Sequence, residues 1–297
     1  MPLSLKKREQ IFGLLLLAPT FLFISAFAFY PIVYSFILSS KKIIIGLPEI
    51  GEGFVGLSNY RALLHDQNAL NAFKNTIVFV LVSTFLEIAA GLVIALIIHR
   101  EFRGRGLVRA AILIPWAIPT VVSSQMWRFI LNDKYGLINY ILYGNNVTGY
   151  KAWLADPLTA FTAIITADVW KTSSFAALLI LAGLQMIPDE LYEAARVDGA
   201  NAWQRFTRIT LPLIRPAIVV ALLFRTMDAF RVFDLVFVMT QGGPGDATNV
   251  LQFYGYKKIF AEGLMGYGST ISVLVFLITL VISLLYIRTV GRKLIVQ

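Results

Sequence analysis

Residues 193–212 read EAARVDGANAWQRFTRITLP, a polar stretch set between two strongly apolar runs, Leu158 to Leu181 and Ala217 to Thr240. Each run reaches the roughly 20 mostly apolar residues that a bilayer span requires. A water-soluble, helix-forming segment joining two spans must lie at one membrane face, because lipid-exposed irregular backbone is not tolerated in the hydrocarbon core. The stretch therefore decides the fold class and marks a surface that a soluble partner can read.

Working outward, four further runs have the same character: Ile11 to Leu38, Ala72 to Ile98, Leu107 to Leu131 and Gly268 to Val290. The chain is 58% hydrophobic and 14% charged, with a mean hydropathy of +0.73, whereas globular domains are about 45–50% apolar and about 25% charged. The runs are continuously apolar and lack the two-residue alternation of barrel strands. An all-α, polytopic membrane protein with six transmembrane helices is expected. The longest connection, Ser39 to Asn71, is loop-sized, so residues 1–297 read as one membrane domain with a polar loop at 186–215.

Lys and Arg set the expected orientation. Lys6, Lys7, Arg8, the Arg100 to Arg109 group, Arg196, Arg205, Arg208, Arg215 and the tail Arg288, Arg292 and Lys293 put 14 cations on one side, against 7 on the other (Lys41, Lys42, Arg61, Lys134, Lys151, Lys257 and Lys258). Both termini and the polar loop are thus expected in the cytoplasm. The +9 net charge is largely this topological signal, and cations dispersed over loops argue against a nucleic-acid partner. The run from Ile11 to Leu38 exceeds the 7–15 apolar residues of a secretory signal and reads as an uncleaved first span.

Several chemistries are excluded. The chain has no cysteine, so thiolate catalysis and cysteine-ligated metals are absent. His65 and His99 fall on opposite membrane sides in this topology and cannot share a metal. No phosphate-binding loop, His-Glu-x-x-His or Gly-x-Ser-x-Gly occurs, so the chain is not expected to be an enzyme. Gly242-Gly243-Pro244-Gly245 reads as a turn after the fifth span.

Within the polar stretch, Pro188 suits a first helical position, Asp189 and Glu190 complement the positive dipole end, and Leu191 to Val197 are good helix formers. Gly199 suits a left-handed corner, from which a second short helix, Ala200 to Thr210, is expected to run until Pro212 ends it. Trp203, Phe206 and Thr210 recur at helical spacing. Spacing alone leaves two readings open: these aromatics pack on the ends of the spans, or they dock into a groove on a partner.

Glu193, Ala194, Ala195, Gly199, Ile209, Leu211 and Pro212 stand at the spacing of the EAA signature of ABC importer permeases. The resemblance extends to Gly56-Leu57-Ser58-Asn59-Tyr60, Asn75-Thr76, Pro115-Trp116-Ala117-Ile118-Pro119, Phe224 to Phe230 and Gly242-Gly243-Pro244. Together these resemble the maltose-type carbohydrate branch, and within it the first permease subunit of trehalose or maltose importers. The resemblance implies a second homologous permease, two cytoplasmic ATPase subunits that hold ATP and magnesium, and an extracytoplasmic sugar-binding protein, all assembled at the cell membrane. It also implies that Glu193, Ala194, Ala195, Gly199, Trp203, Phe206, Leu211 and Pro212 belong to coupling helices that fit a cleft in the ATPase.

The spans carry charges that need pairing or water, since an ionisable group at the bilayer centre costs at least about 2.5–3.5 kcal/mol. Arg225, Asp228, Arg231 and Asp234 stand at three-residue steps in the fifth run and are expected to form two ion pairs pointing in different directions. The fourth run has Asp168 and Lys171 beside Trp170, Thr172, Ser173 and Ser174, a surface suited either to sugar hydroxyls or to helix packing. Pro115 and Pro119 are expected to kink the third span. The resemblance carries the membrane sugar site onto Trp116 and Thr120, onto Lys171, Thr172 and Phe175, and onto Arg225, Ala229 and Val232. Ala229 and Val232 stand where maltose permeases have amides, while Lys171 and Arg225 bring charge, which puts maltose itself in question. A glycerol-phosphate importer, using Lys171 and Arg225 for the phosphate, and an ion-coupled secondary transporter are the competing expectations.

Overall fold

A computed structural model describes residues 5–47, 49 and 53–294; the side chains of Lys7, Arg8, Arg292 and Lys293, counted above, lie outside that description. The helices in chain order are α1 (Leu5–Ile24), α2 (Tyr30–Ser39), α3 (Ser58–His65), α4 (Gln67–His99), α5 (Arg105–Ala117), α6 (Thr120–Ile130), α7 (Leu137–Tyr143), α8 (Pro157–Leu184), α9 (Asp189–Val197), α10 (Ala202–Arg205), α11 (Leu211–Ala229), α12 (Asp234–Met239), α13 (Leu251–Tyr256) and α14 (Met265–Leu294). The described strands, β1 (Lys41–Lys42) and β2 (Gly53–Phe54), form one antiparallel ribbon with Lys41 opposite Phe54. By length and composition five helical segments can cross a membrane, and six if the bent pair α5 and α6 counts as one.

One compact unit comprises Met1–His65 and Gly255–Leu274. Its apolar span, Ile11–Ser39, runs through α1, a π-helical turn at Ser25–Phe29 and α2. The wide turn precedes Pro31, which has no N–H to donate and whose ring would crowd a standard α turn. The Gly56 to Tyr60 motif secures the end of α2: Asn59 Nδ2 donates to Ser39 O at 2.8 Å and Lys41 O at 2.9 Å, and Ser39 Oγ lies 2.7 Å from the Tyr60 hydroxyl.

The other unit, Asp66–Tyr254 with Val275–Gln297, holds the remaining signature residues. Asp66 caps α4 by accepting from Asn68 N at 3.0 Å and Ala69 N at 3.3 Å, and Asp156 caps α8 through Thr159 N, with Pro157 in the first turn. The buried positions of α4 (Ala72, Thr76, Val80, Thr84, Glu87, Gly91, Ala95 and Ile98) recur every three or four residues, which makes one stripe. That stripe meets α8 closely. A Cβ on Gly91 would come within 2.8 Å of the Ala176 Cβ, so only glycine permits this approach. Below it, Ala95, Ile98, Ala177, Ile180, Leu184 and Ile214 form a buried apolar core of α4, α8 and α11.

Two expected spans are corrected. The third, Leu107 to Leu131, is two helices bent by 92° at Ile118 and Pro119, sharper than a kink, because Pro119 cannot continue the α5 ladder and holds Ile118 extended (φ −69°, ψ 131°). The fifth, Ala217 to Thr240, is displaced: the crossing helix is Ala202–Ala229, and the chain then turns into the short α12. Pro212 therefore does not end the second short helix, which also starts at Ala202 rather than Ala200. A π-helical turn at Phe206–Thr210, with Leu211 N–H reaching Phe206 O, opens the ladder so that the proline passes without a break. This repeats the arrangement before Pro31.

Candidate functional site

Two places collect the singled-out residues. The first lies where α5, α6, α8 and α11 meet, around a cavity of about 400 Å³, within the roughly 300–1,000 Å³ of small-molecule sites. Trp116 and Thr120 reach it from either side of the α5–α6 bend, Asp168, Lys171 and Thr172 from α8, and Arg225, Asp228, Ala229 and Val232 from the end of α11. Phe175 stands behind this wall: its ring stacks on Trp116 at 5.5 Å and 20°, and meets Phe224 edge-on at 6.1 Å. The cavity thus has an aromatic side, with the Trp116 ring supported from behind. Trp116 itself is 47% exposed.

The same cavity is also lined by a charge cluster. Arg225 Nε donates to Glu87 Oε2 at 2.5 Å and Nη2 to Glu87 Oε1 at 3.2 Å, a bidentate pair between α11 and α4. The same guanidinium reaches Asp168 Oδ2 at 3.5 Å and Asp228 Oδ2 at 3.3 Å, and Arg231 Nη2 reaches Asp228 Oδ1 at 3.1 Å. The expected pair of separately directed ion pairs is therefore replaced by one connected cluster, because α11 ends at Ala229 and Arg231 and Asp234 do not continue its helical track. Glu87 was not anticipated from the sequence. Its signal was there: it is the sole carboxylate of the Ala72 to Ile98 run, and a lone intramembrane acid is a functional candidate by default.

Lys171 does not pair with Asp168. Its Nζ donates to the carbonyls of Trp116 at 3.0 Å and Ile118 at 2.5 Å, which the broken α5 leaves without helical partners. The cation thereby ties α8 to the corner that carries Trp116. Thr172 lines the cavity and returns its hydroxyl to Asp168 O at 2.7 Å. Ser174 faces a different cavity, beside Arg109 and Leu178, while Ser173 lies in the α4–α8 contact, its carbonyl near Gly91; neither lines the cavity that Trp116 and Arg225 share. Trp170 meets Trp127 edge-on at 5.9 Å. Lys171 and Arg225, the cations that a phosphate would need, are both committed within the chain.

The second place is the helical hairpin 189–212. Pro188 caps α9 from outside rather than opening it. After Val197 the chain closes a Schellman turn: Gly199 N donates to Arg196 O at 3.1 Å and Ala200 N to Ala195 O at 2.8 Å, with Gly199 at φ +77°. Asn201 and Gln204 then form a reciprocal capping box that starts α10. Arg205 Nη1 donates to Ala200 O at 2.6 Å, and the Tyr192 hydroxyl lies 3.0 Å from Thr210 Oγ1, so the two arms are bonded to one another. Glu193 and Ala194 point outward, Ala195, Leu211 and Pro212 are half-buried, and Trp203 is 71% exposed with its ring 5.8 Å from Phe206.

The remaining motifs are structural. Gly242 (φ +84°) and Gly245 (φ +53°) form the expected turn, held by Thr248 Oγ1 donating to Gly243 O at 2.6 Å. Asn75 Nδ2 donates to Asp246 O and Asn249 O, and Thr76 Oγ1 accepts from Leu251 N, so the Asn75-Thr76 pair anchors the same loop to α4. Among the described residues no cluster of three His, Asp or Glu side chains could hold a metal.

Comparison with known proteins accords with this geometry. The trehalose/maltose transport system permease protein MalF of Thermococcus litoralis is 43% identical over 97% of this chain and 96% of its own length. The trehalose transport system permease protein SugA of Mycobacterium tuberculosis is 40% identical over 95% and 90%, and the sulfoquinovosyl glycerol transport system permease protein SmoG of Agrobacterium fabrum is 38% identical over 96% and 92%. A subunit of a bacterial alginate ABC transporter, crystallised with its alginate pentasaccharide-bound periplasmic protein, superposes with a TM-score of 0.82 over 97% of this chain and 96% of that one; at 24% identity the likeness is one of fold. A family model described as the binding-protein-dependent transport system inner membrane component matches residues 87–293. The chain belongs to that family and is a multi-pass membrane permease of an ABC transporter, not itself an ATPase.

Proposed function

We propose that the chain is one permease subunit of an ATP-driven importer for a disaccharide of the trehalose or maltose kind. It crosses the membrane six times, with both termini and the 189–212 hairpin in the cytoplasm. A second homologous permease completes the path, an extracytoplasmic binding protein delivers the sugar, and two ATPase subunits supply ATP and magnesium chemistry. The hairpin docks into the ATPases, whose closure turns the cavity from inward-facing to outward-facing by rigid-body movement of the helices. No covalent step occurs in this chain.

The observation that carries this reading is the cavity wall. One side is the Trp116 ring backed by Phe175, which suits the apolar face of a pyranose. The same lining carries carboxylates and guanidinium groups, which exchange hydrogen bonds with hydroxyls. Such a wall orients a polyol without reacting with it. The names of the trehalose and maltose relatives point to the same cargo. The test is uptake of labelled trehalose and maltose by the complete transporter in proteoliposomes with its binding protein. ATP-dependent accumulation of either sugar supports the proposal; accumulation of neither, by a complex whose ATPase is active, defeats it.

A further inference from the structure

Lys171 belongs to the cavity wall, and the resemblance to maltose-type permeases counts it and Phe175 among the residues that meet sugar. We propose that both are instead positioning residues for Trp116: they fix the cavity's aromatic surface and set sugar affinity through that ring. The inference rests on the sugar reading above and gives two residues of that site a different part in it.

The first observation is the break in the chain. α5 ends at Ala117, Ile118 is extended and Pro119 has no N–H, so the last carbonyls of α5 lack the donors that a continuing helix would supply. Those of Trp116 and Ile118 accept from Lys171 Nζ at 3.0 and 2.5 Å. Lys171 is only 7% exposed. Without the ammonium the carbonyls lose their donor, and without the carbonyls a buried charge loses its acceptors, so each side holds the other. The second observation lies one helical turn further along α8. There the Phe175 ring stacks on that of Trp116 at 5.5 Å and 20°. α8 thus grips Trp116 twice, by its backbone and by its ring, while Trp116 itself stays 47% exposed towards the cavity it lines. An ammonium has three N–H groups, and the third is open to a sugar hydroxyl, so direct contact by Lys171 is the rival account.

A double-mutant cycle separates the two. Trp116→Ala removes the ring but keeps the carbonyl that Lys171 holds, so it takes away what Lys171 would position and nothing that a direct contact needs. The dissociation constant of labelled trehalose is measured on the complete transporter in nanodiscs, without binding protein, for wild type, Lys171→Met, Trp116→Ala and the pair. Lys171→Met alone should weaken binding about tenfold, the worth of one aromatic contact. With Trp116 already Ala it should add less than about twofold, and Lys171→Arg, which can still donate to both carbonyls, should bind more tightly than Lys171→Met. Equal weakening in both backgrounds overturns the inference, as does a lower yield of assembled complex with unchanged affinity. A second measurement needs no sugar. The chain has no cysteine, so Ala117→Cys, in a complex whose other subunits are cysteine-free, carries one spin label at the corner. Lys171→Met should make that label more mobile, and an unchanged spectrum overturns the inference. Should Lys171→Met fail to assemble, Phe175→Leu takes its place in the cycle with the same expected non-additivity, and equal weakening with and without the Trp116 ring overturns it. A wild-type complex that binds neither trehalose nor maltose contradicts the sugar reading instead, and the label still decides whether Lys171 holds the corner.

Discussion

The cavity and the 189–212 hairpin are both polar places in an apolar chain, but they treat their side chains in opposite ways. In the cavity the charges satisfy one another: Arg225 is 4% exposed and Glu87 0%, and each finds its partner within the chain. On the hairpin the backbone at the corner is bonded through the Schellman turn and the capping box, while Trp203 at 71% and Val197 at 89% exposure are left bare. Low dielectric accounts for the difference. A charge inside the bilayer must be compensated before any ligand arrives, whereas a docking surface can leave its anchors in water until the partner covers them.

The largest way to break this contrast is to remove one side of the buried pair. Arg225→Met leaves Glu87 uncompensated and should cost about 3–5 kcal/mol, read as loss of assembled complex on size exclusion; the double variant Glu87→Leu/Arg225→Met should recover most of the assembly. Full assembly of the single variant would show that Glu87 is compensated elsewhere. Next is Trp203→Ala, expected to leave folding intact and to weaken association with the ATPase subunits by about 2 kcal/mol or more, as a central aromatic anchor does; co-purification of the subunits at increasing detergent measures it. Gly199→Val places a branched side chain at φ +77° and should cost about 1–2 kcal/mol of hairpin order, seen as ATP hydrolysis no longer stimulated by sugar. Glu193→Lys should give the same uncoupling without the strain. Smallest is Arg231→Gln: its pair with Asp228 is exposed on both sides, 62% and 58%, and should contribute below about 1 kcal/mol, so assembly should match wild type. A loss as large as that from Arg225→Met would mean that exposure does not rank the members of the cluster.

Much of this arrangement was legible in the sequence. The hairpin could be read closely because its determinants are local: Gly199 for the corner, acids at the start of α9, aromatics at helical spacing. Its end was misread for a local reason too, since Pro212 signals termination and only the preceding π-helical turn lets the helix continue. The spans were legible from hydropathy, but hydropathy is blind to a 92° corner between apolar segments and to a short helix after Ala229. The cavity residues could be named from their resemblance to the maltose-type permeases, and they do converge, Phe175 excepted. The Arg225–Asp228 contact follows from the three-residue step and is present at 3.3 Å, but the tighter pair could not be foreseen: Glu87 stands 138 positions from Arg225, and nothing in the spacing of α11 says that its arginine also reaches α4.

The central claim is that the two regions divide the work, the cavity holding sugar and the hairpin transmitting force. It is tested most directly by measuring sugar transported per ATP hydrolysed, as a function of sugar concentration, in proteoliposomes carrying either Trp116→Ala or Trp203→Ala. The account predicts that Trp116→Ala raises the half-saturating sugar concentration about tenfold, the worth of one aromatic contact of roughly 1.4 kcal/mol, with the transport-to-hydrolysis ratio at saturation unchanged. Trp203→Ala should lower that ratio and leave half-saturation alone. A lowered ratio from the cavity variant with shifted saturation from the hairpin variant would contradict it.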